Sequence, residues 1–343
     1  MAIHCFNNDI LTKIHSFTNN ITSLLDTTTQ FKEYKKRITY SCKLNKKNSY
    51  KYYSDELFYN LINSLHGGKI DIHIDLRRNQ DKITDIGICR LAQNKKIHTL
   101  NLHGCENVTN EGIKHLGNLH TLDIGHNQKI TDNGVRHLGN IHTLILSYCR
   151  RITDDSIRHL GKVRILYLDC CHNITNNGLK YLENVHTLNI SWIKNITDVS
   201  GLGKLHKLYV GYTNITDESI INISKYGNLH TLDLSCCDVT DNSVKLLGKL
   251  HTLNLWCCKL ITDDSVKLLG KLHTLNLHCC HKITDKSIKC LENIRELNIR
   301  GCNKLTPHGI LYLKNVKLLD NTWNTDFGNW GEATWLKILS KTI

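Results

Sequence analysis

The tripeptide His-Thr-Leu recurs seven times in this chain of 343 residues, and its regular spacing restricts the possible folds more than any other feature. It begins at residues 98, 120, 142, 186, 230, 251 and 273. Three variants, Arg164-Ile-Leu, His206-Lys-Leu and Arg295-Glu-Leu, fill the gaps and give spacings of 20 to 24 residues. A degenerate unit from Lys69 brings the total to about eleven repeats over residues 69–315. A unit this short cannot bury its own apolar face, so the units must stack.

The segment 119–140 shows what is repeated. Leu119, Leu122 and Ile124 precede Asn127 in the pattern L-x-x-L-x-L-x-x-N. Most other units have cysteine at the place of that asparagine: Cys105, Cys149, Cys171, Cys237, Cys258, Cys280 and Cys302. This pattern is typical of leucine-rich repeats, in which a strand and a helical turn form each unit.

The second half of each unit reads Ile-Thr-Asp, then apolar residues, then Leu-Gly. It predicts a short helix that Thr131 or Asp132 caps and that Gly139 ends in a left-handed conformation. We therefore predict an α/β leucine-rich-repeat solenoid, or horseshoe, with parallel strands and a small helical module at the N-terminus.

Two segments without the repeat flank the solenoid. Residues 316–343 are predicted to cap the last repeat, with a partner-binding tail as the alternative. They contain three of the five tryptophans, Trp323, Trp330 and Trp335. Residues 46–68 are assigned to a linker and a capping helix, which Gly67 and Gly68 end. That helix has leucine at helical spacing at Leu57, Leu61 and Leu65.

Residues 6–37 read FNNDILTKIHSFTNNITSLLDTTTQFKEYKKR. Their apolar positions resemble those of an F-box, although Asn7, His15 and Phe31 depart from the family pattern. The resemblance implies that residues 1–45 form an F-box-like helical module that binds a Skp-type adaptor and, through it, a cullin complex. The implied adaptor contacts are Ile10, Leu11, Ile14, Leu24, Leu25 and Tyr34. A plain helical cap is the alternative.

The run HCCH at residues 278–281 has the side chains of a metal site. Successive side chains of a strand point to opposite faces, so four in a row cannot bind one ion, and zinc sites space their ligands. We therefore predict no metal and a buried turn position for Cys280. A site across repeats, where Cys236, Cys257 and Cys279 stack, is the alternative. We expect all 15 cysteines to be thiols.

The histidines of the His-Thr-Leu words fall at one place in the repeat, just before each strand. Stacked at strand spacing, they cannot all be protonated without mutual repulsion. We expect the array to loosen below about pH 6. The alternative is a surface position kept by duplication of the repeat.

The face formed by outward side chains of the strands collects aromatic and acidic residues, which are typical of protein-binding surfaces. The candidate partner-binding residues are Asp123, Tyr148, Tyr167, Trp192, Tyr209, Tyr212, Asp233, Trp256 and His278. This face is not a basic stripe, so nucleic acid is an improbable ligand there. About half of the formal charge of +13 lies instead in residues 32–51, and the rest of the chain is mildly basic.

The chain has no apolar run near the length of a membrane span and no recognisable signal peptide at its start. We therefore expect an intracellular protein, cytoplasmic or nuclear. The single proline and the abundance of asparagine, isoleucine and lysine suggest an AT-rich genome, such as that of a giant virus or a protist.

Catalytic motifs such as G-x-S-x-G and H-E-x-x-H do not occur. We therefore expect a non-enzymatic protein without cofactors. Together with the F-box resemblance, the sequence favours a substrate-recognition subunit of a Skp-cullin-F-box ubiquitin ligase, whose target protein the sequence does not name. A scaffold or inhibitor outside the ligase pathway is the alternative, and a nucleic-acid binder that uses residues 32–51 is a third interpretation.

Overall fold

The computed structural model describes residues 69–77 and 82–313, together with residues 2–3, 39–43, 50, 53–54 and 317–318. The chain divides into two compact units, residues 1–163 and residues 164–343, and each is treated by itself. In both units short strands alternate with short helices, which confirms the predicted fold class.

Unit 1 contains a parallel sheet whose strands pair in chain order. The described strands are β1 (Ala2–Ile3), β2 (Thr39–Lys43), β3 (Lys69–Asp75), β4 (Ile97–Asn101), β5 (Thr121–Asp123) and β6 (Thr143–Ile145). The described helices are α1 (Asp85–Ala92), α2 (Asn110–Ile113), α3 (Asp132–Val135) and α4 (Asp154–Ile157). Leu100, Leu122 and Leu144 are paired in register and fully buried, so one face of the strands lies in the core.

Unit 2 repeats the arrangement with parallel pairing in chain order. Its strands are β7 (Ile165–Tyr167), β8 (Thr187–Asn189), β9 (Lys207–Tyr209), β10 (Thr231–Asp233), β11 (Thr252–Asn254), β12 (Thr274–Asn276), β13 (Glu296–Asn298) and β14 (Lys317–Leu318). Its helices are α5 (Asn176–Leu179), α6 (Asp217–Ser224), α7 (Asp241–Val244), α8 (Asp263–Val266), α9 (Asp285–Ile288), a 3-10 turn (Lys289–Leu291) and α10 (Pro307–Ile310). The central leucine of each strand from β7 to β13 is buried.

The N-terminal predictions fall largely on residues outside the described ones. Within the predicted helical module 1–45, the described pieces β1 and β2 are strands, and β2 lies between β1 and β3 in the sheet. Residues 6–37, which carry the F-box resemblance, lie outside the described part of the chain. The same holds for the leucines of the predicted capping helix and for the three tryptophans near the C-terminus.

The repeated cysteine joins neighbouring repeats through its thiol. Cys258 Sγ donates to the carbonyl oxygen of Leu234 at 3.1 Å, and Cys280 Sγ donates to that of Leu255 at 3.2 Å. Asn127 reaches the same region with Nδ2, which donates to the carbonyl oxygens of Cys105 and Val108. The predicted turn role of Cys280 is therefore confirmed. Burial raises the pKa of Cys258 and of Cys280, so both thiols stay neutral.

The Ile-Thr-Asp segment caps the helix and also links neighbouring repeats. In helix α8, Thr262 Oγ1 accepts from the backbone N–H of Asp264 and caps the helix. Asp241, one repeat earlier, accepts from Thr262 N at 2.9 Å, Thr262 Oγ1 at 2.6 Å and Ser265 Oγ at 2.6 Å. The aspartate therefore fastens its helix to the following one.

The same connection recurs through both units. Further donor–acceptor pairs of this type join Thr109 to Asp85, Thr153 to Asp132, Thr240 to Asp217, Thr284 to Asp263 and Thr306 to Asp285. Burial would raise the pKa of Asp241, but the hydrogen bonds from Ser265 and Thr262 outweigh it, so the pKa is lowered. The carboxylate is thus the form that these contacts stabilise.

The glycine of the Leu-Gly pair has a different role from the predicted one. Gly139 does not adopt a left-handed conformation, since the glycines with positive φ in the described chain are Gly104, Gly227 and Gly301. A Cβ at Gly139 would lie 2.2 Å from the carbonyl oxygen of His159. The position is small because the backbone of the next repeat passes against it, so the predicted left-handed helix end is wrong.

Candidate protein-binding surface

In each repeat from β4 to β13, the residue three positions after the end of the strand adopts a left-handed backbone conformation. It precedes the repeated cysteine or asparagine, except at Trp192 and Tyr212, which precede Ile193 and Thr213. Glycine occupies this position at Gly104 and Gly301, with φ of 68° and 71°. In the repeats between them the position holds larger residues: His126, Tyr148, Cys170, Trp192, Tyr212, Cys236, Cys257 and Cys279. A side chain in this conformation costs about 1–2 kcal/mol relative to glycine. The two glycines are the signal of this requirement in the sequence.

Two of the predicted partner-binding residues lie in unit 1. Asp123, on β5, is half-buried and lies 3.6 Å from Nδ1 of His103. Its Oδ1 also accepts from the backbone N–H of Gly125. Burial raises the pKa of Asp123, and the bond from Gly125 and the charge of His103 oppose that rise. Tyr148 stacks on the ring of His126 at 4.1 Å. Both predicted residues of unit 1 therefore contact other side chains of the same unit.

In unit 2, three predicted residues occupy one column of the sheet face. Tyr167 on β7 and Tyr209 on β9 are both in register with Asn189 on β8, and Tyr209 is also in register with Asp233 on β10. All three predicted residues are half-buried. The charge of Asp233 therefore lies one strand away from the phenol of Tyr209.

The other predicted residues of unit 2 form a chain of ring contacts. The rings of Trp192 and Tyr212 are stacked with centroids 3.6 Å apart and an interplanar angle of 10°. Tyr212 meets Trp256 edge to face at 6.0 Å, and Trp256 lies 5.9 Å from His278. Trp192 is 48% exposed, which is unusual for the largest apolar side chain. The structure thus brings these four residues together.

The electrostatics of this cluster keep its phenols neutral. The pKa of Tyr212 is raised to about 12, chiefly by a hydrogen bond with the thiol of Cys236, then by burial and by nearby negative groups that include Asp233. Burial also raises the pKa of Tyr209, with smaller contributions from Tyr167 and Asp233. The surface therefore presents uncharged rings beside one carboxylate.

The HCCH run does not converge on a point. His278 and Cys279 are half-buried, Cys280 is buried, and Nδ1 of His281 lies 3.1 Å from the carbonyl oxygen of Gly301. Across the described ranges, no group of three or more histidine, cysteine or acidic side chains is placed to hold a metal ion. Likewise, none of the helices that the structure describes has the length and apolarity to span a membrane.

The histidines preceding the strands stack on one another within each unit. In unit 1 the ring of His120 lies 4.3 Å from that of His98 and 4.5 Å from that of His142. In unit 2 five histidines stack at 4.4 to 4.9 Å: His186, His206, His230, His251 and His273. Burial and the neighbouring cationic groups lower the pKa of His230. Protonation of His230 is thus less favourable in the stack than in an isolated histidine.

Comparisons with known proteins agree with this architecture. The family model described as Leucine Rich repeat matches residues 118–139 and 228–248. A search of curated proteins finds no significant match. Among solved structures, Rad7 in its complex with Elc1 from yeast superposes with a TM-score of 0.54 at 18% identity, covering 69% of this chain and 72% of that one. An internalin (inlF) from Listeria monocytogenes gives 0.52 at 18% identity, covering 76% and 80%. The chain therefore carries leucine-rich repeats and folds as a leucine-rich-repeat solenoid.

Proposed function

We propose that this protein is the substrate-recognition subunit of a Skp-cullin-F-box ubiquitin ligase. One observation carries the recognition half of this proposal: the half-buried and exposed aromatic cluster around Trp192 and Tyr212, which lies on the sheet face beside Asp233. Exposed aromatic side chains with a nearby charge are the groups that dominate binding energy at protein interfaces. A target protein would lie across this face.

The ligase half rests on the F-box resemblance of residues 6–37. In this proposal Ile10, Leu11, Ile14, Leu24, Leu25 and Tyr34 hold a Skp-type adaptor, which links the chain to the cullin complex. The yeast neighbour Rad7 offers a precedent for a solenoid of this fold in complex with a second polypeptide, Elc1. The chain itself carries out no chemistry and needs no cofactor, and it acts in the cytoplasm or nucleus.

Co-purification with a Skp-type adaptor tests the proposal. Leu11→Asp combined with Ile14→Asp places two charges on the apolar side of the predicted F-box helix, so adaptor binding should be lost. Thr12→Asp combined with Asn19→Asp adds the same charge at polar positions and should bind normally. Failure of the folded wild-type protein to bind the adaptor would leave the alternative, a scaffold or inhibitor outside the ligase pathway.

A further inference from the structure

One column of the sheet face of unit 2 holds small residues, of which Gly211 and Ser235 are buried, and we call this column and the rings beside it the trough. Ser191, Gly211 and Ser235 follow the paired residues of β8, β9 and β10 by two positions, so they share one column. A Cβ at Gly211 would lie 2.3 Å from Ser235 Oγ and 3.5 Å from Asp233 Oδ1. The same column holds the larger residues Asp169 and Trp256 in the flanking repeats. The small floor thus spans three strands, or about 10 Å.

Aromatic rings border this floor on both sides. Tyr209 precedes Gly211 by two residues and belongs to the column on one side. Tyr212 follows Gly211 directly and belongs to the left-handed column on the other side, where it stacks on Trp192 at 3.6 Å. The left-handed position accepts glycine most easily, so a tryptophan and a tyrosine in consecutive repeats are not required by the backbone. Their rings are therefore candidates for a binding role.

Asp233, the acidic residue at this trough, differs in its contacts from Asp123, the corresponding residue of unit 1. Asp233 Oδ1 accepts from the backbone N–H of Ser235 at 2.8 Å, and its carboxylate forms no ion pair with any residue that the structure describes. Asp123 also lies beside a glycine of the floor column, Gly125, but it has His103 at 3.6 Å. Asp233 of unit 2 thus has no ion-pair partner among the described residues, whereas Asp123 of unit 1 already contacts the imidazole of His103.

We infer that the trough bounded by Trp192, Tyr209, Tyr212 and Asp233 binds a cationic side chain of a partner protein, with arginine preferred to lysine. Aromatic faces attract cations, and a desolvated carboxylate adds a charge-assisted hydrogen bond. The planar guanidinium of arginine can lie flat against a ring and still donate to a carboxylate, which the ammonium of lysine does less well. This inference rests on the proposed function, because it specifies what the recognised protein presents.

Titration calorimetry with short capped peptides tests the inference. Tetra-arginine should bind more tightly than tetra-lysine, and tetra-glutamate should not bind. Asp233→Asn keeps an oxygen for the N–H of Ser235 but removes the charge, so it should weaken tetra-arginine binding by roughly fivefold to tenfold. Tyr212→Ala combined with Trp192→Ala should have a similar effect, with circular dichroism to verify folding. Asp264→Asn is the control, because it removes a carboxylate from helix α8 and not from the sheet face, and it should leave the affinity within about twofold.

Equal affinity of the wild-type and Asp233→Asn proteins for tetra-arginine would overturn the inference, as would an absence of binding by the wild type. The same preparations are tested for co-purification with the Skp-type adaptor. Adaptor binding without peptide binding rejects the cation site and leaves the ligase proposal standing. Peptide binding that depends on Asp233, without adaptor binding, supports the cation site and rejects the ligase proposal.

Discussion

Asp241 accepts three hydrogen bonds from the following repeat, so its replacement tests how neighbouring repeats are held together. In Asp241→Ala all three bonds are lost. A hydrogen bond contributes about 1 kcal/mol net, and water reaches this partly exposed site and replaces part of each bond. We therefore expect the free energy of unfolding to fall by about 2–3 kcal/mol. Because a solenoid is stabilised repeat by repeat, the loss should be concentrated at the interface between α7 and α8.

Asp241→Asn is the matched control, because the chain itself uses asparagine at this position in two repeats. Asn110 Oδ1 accepts from Thr131 N at 3.0 Å, and its Nδ2 donates to Thr131 Oγ1 at 2.8 Å. Asn176 makes the same pair of contacts with Thr197. An amide at residue 241 can therefore keep the backbone bond and reverse the hydroxyl bond. The expected loss is about 1 kcal/mol, well below that of alanine.

Acid should remove the difference between the wild-type protein and Asp241→Ala. The pKa of Asp241 is lowered in the folded protein from its ordinary value of 3.8. The carboxylate therefore stabilises the fold fully above that value, and this stability is lost as the pH falls through the lower, folded-state pKa. The gap between the two proteins should be constant at neutral pH and should narrow below about pH 4.

Urea unfolding followed by far-UV circular dichroism gives the free energies, and hydrogen exchange of the Thr262 amide reports on the interface directly. That amide should exchange faster in Asp241→Ala and remain protected in Asp241→Asn. If the alanine and asparagine variants lose the same stability, or if the Thr262 amide keeps its protection in both, then the aspartate does not join the repeats and the reasoning fails.

Two further predictions follow from the packing of the repeats. Gly139→Ala should lower the free energy of unfolding by about 2–3 kcal/mol in a urea titration, because its Cβ meets the backbone of His159, whereas Gly201→Ala, with open space around it, should change it by less than about 0.5 kcal/mol. The melting temperature should be lower at pH 5.5 than at 7.5, because the lowered pKa of His230 means that the unfolded chain binds more protons below about pH 6.5. An unchanged melting temperature across that range would reject the second prediction, and equal effects of the two alanine substitutions would reject the first.

The fold was largely predictable because the same pattern of apolar residues recurs in every repeat. One L-x-x-L-x-L segment could be a strand or part of a helix, but ten aligned copies leave the stacked solenoid as the solution that buries every leucine. Contacts between repeats were harder to foresee. The pattern Ile-Thr-Asp predicts a cap at Thr262, but a single repeat gives no indication that Asp241 of the previous one also reaches that threonine. The role of Gly139 was missed for the same reason.

The sequence predicts which residues share a column of the candidate surface, but it does not predict which of their side chains are in contact. Strand alternation places Tyr209 and Asp233 on the outward face, and the register confirms that they are neighbours. Alternation stops applying at the turn, where Trp192 and Tyr212 adopt left-handed conformations, so the sequence gives no indication that their rings stack. The small floor at Gly211 was likewise overlooked, because a glycine in a strand column looks like an interruption until its neighbours are known.

The repeats differ most at the position where the backbone constrains the choice of side chain least. The core leucines, the threonine and the small residue three positions after it are each fixed by a contact with a neighbouring repeat, as Ser265 is by Asp241 of the repeat before it. The left-handed position is fixed only in its conformation, which glycine satisfies at Gly104 and Gly301. A larger residue there costs about 1–2 kcal/mol relative to glycine, and ring contacts between consecutive repeats, such as that of Trp192 with Tyr212, offset part of this cost. Under the proposed function, substitutions at Trp192 and Tyr212 should weaken binding of the partner protein while leaving the solenoid folded.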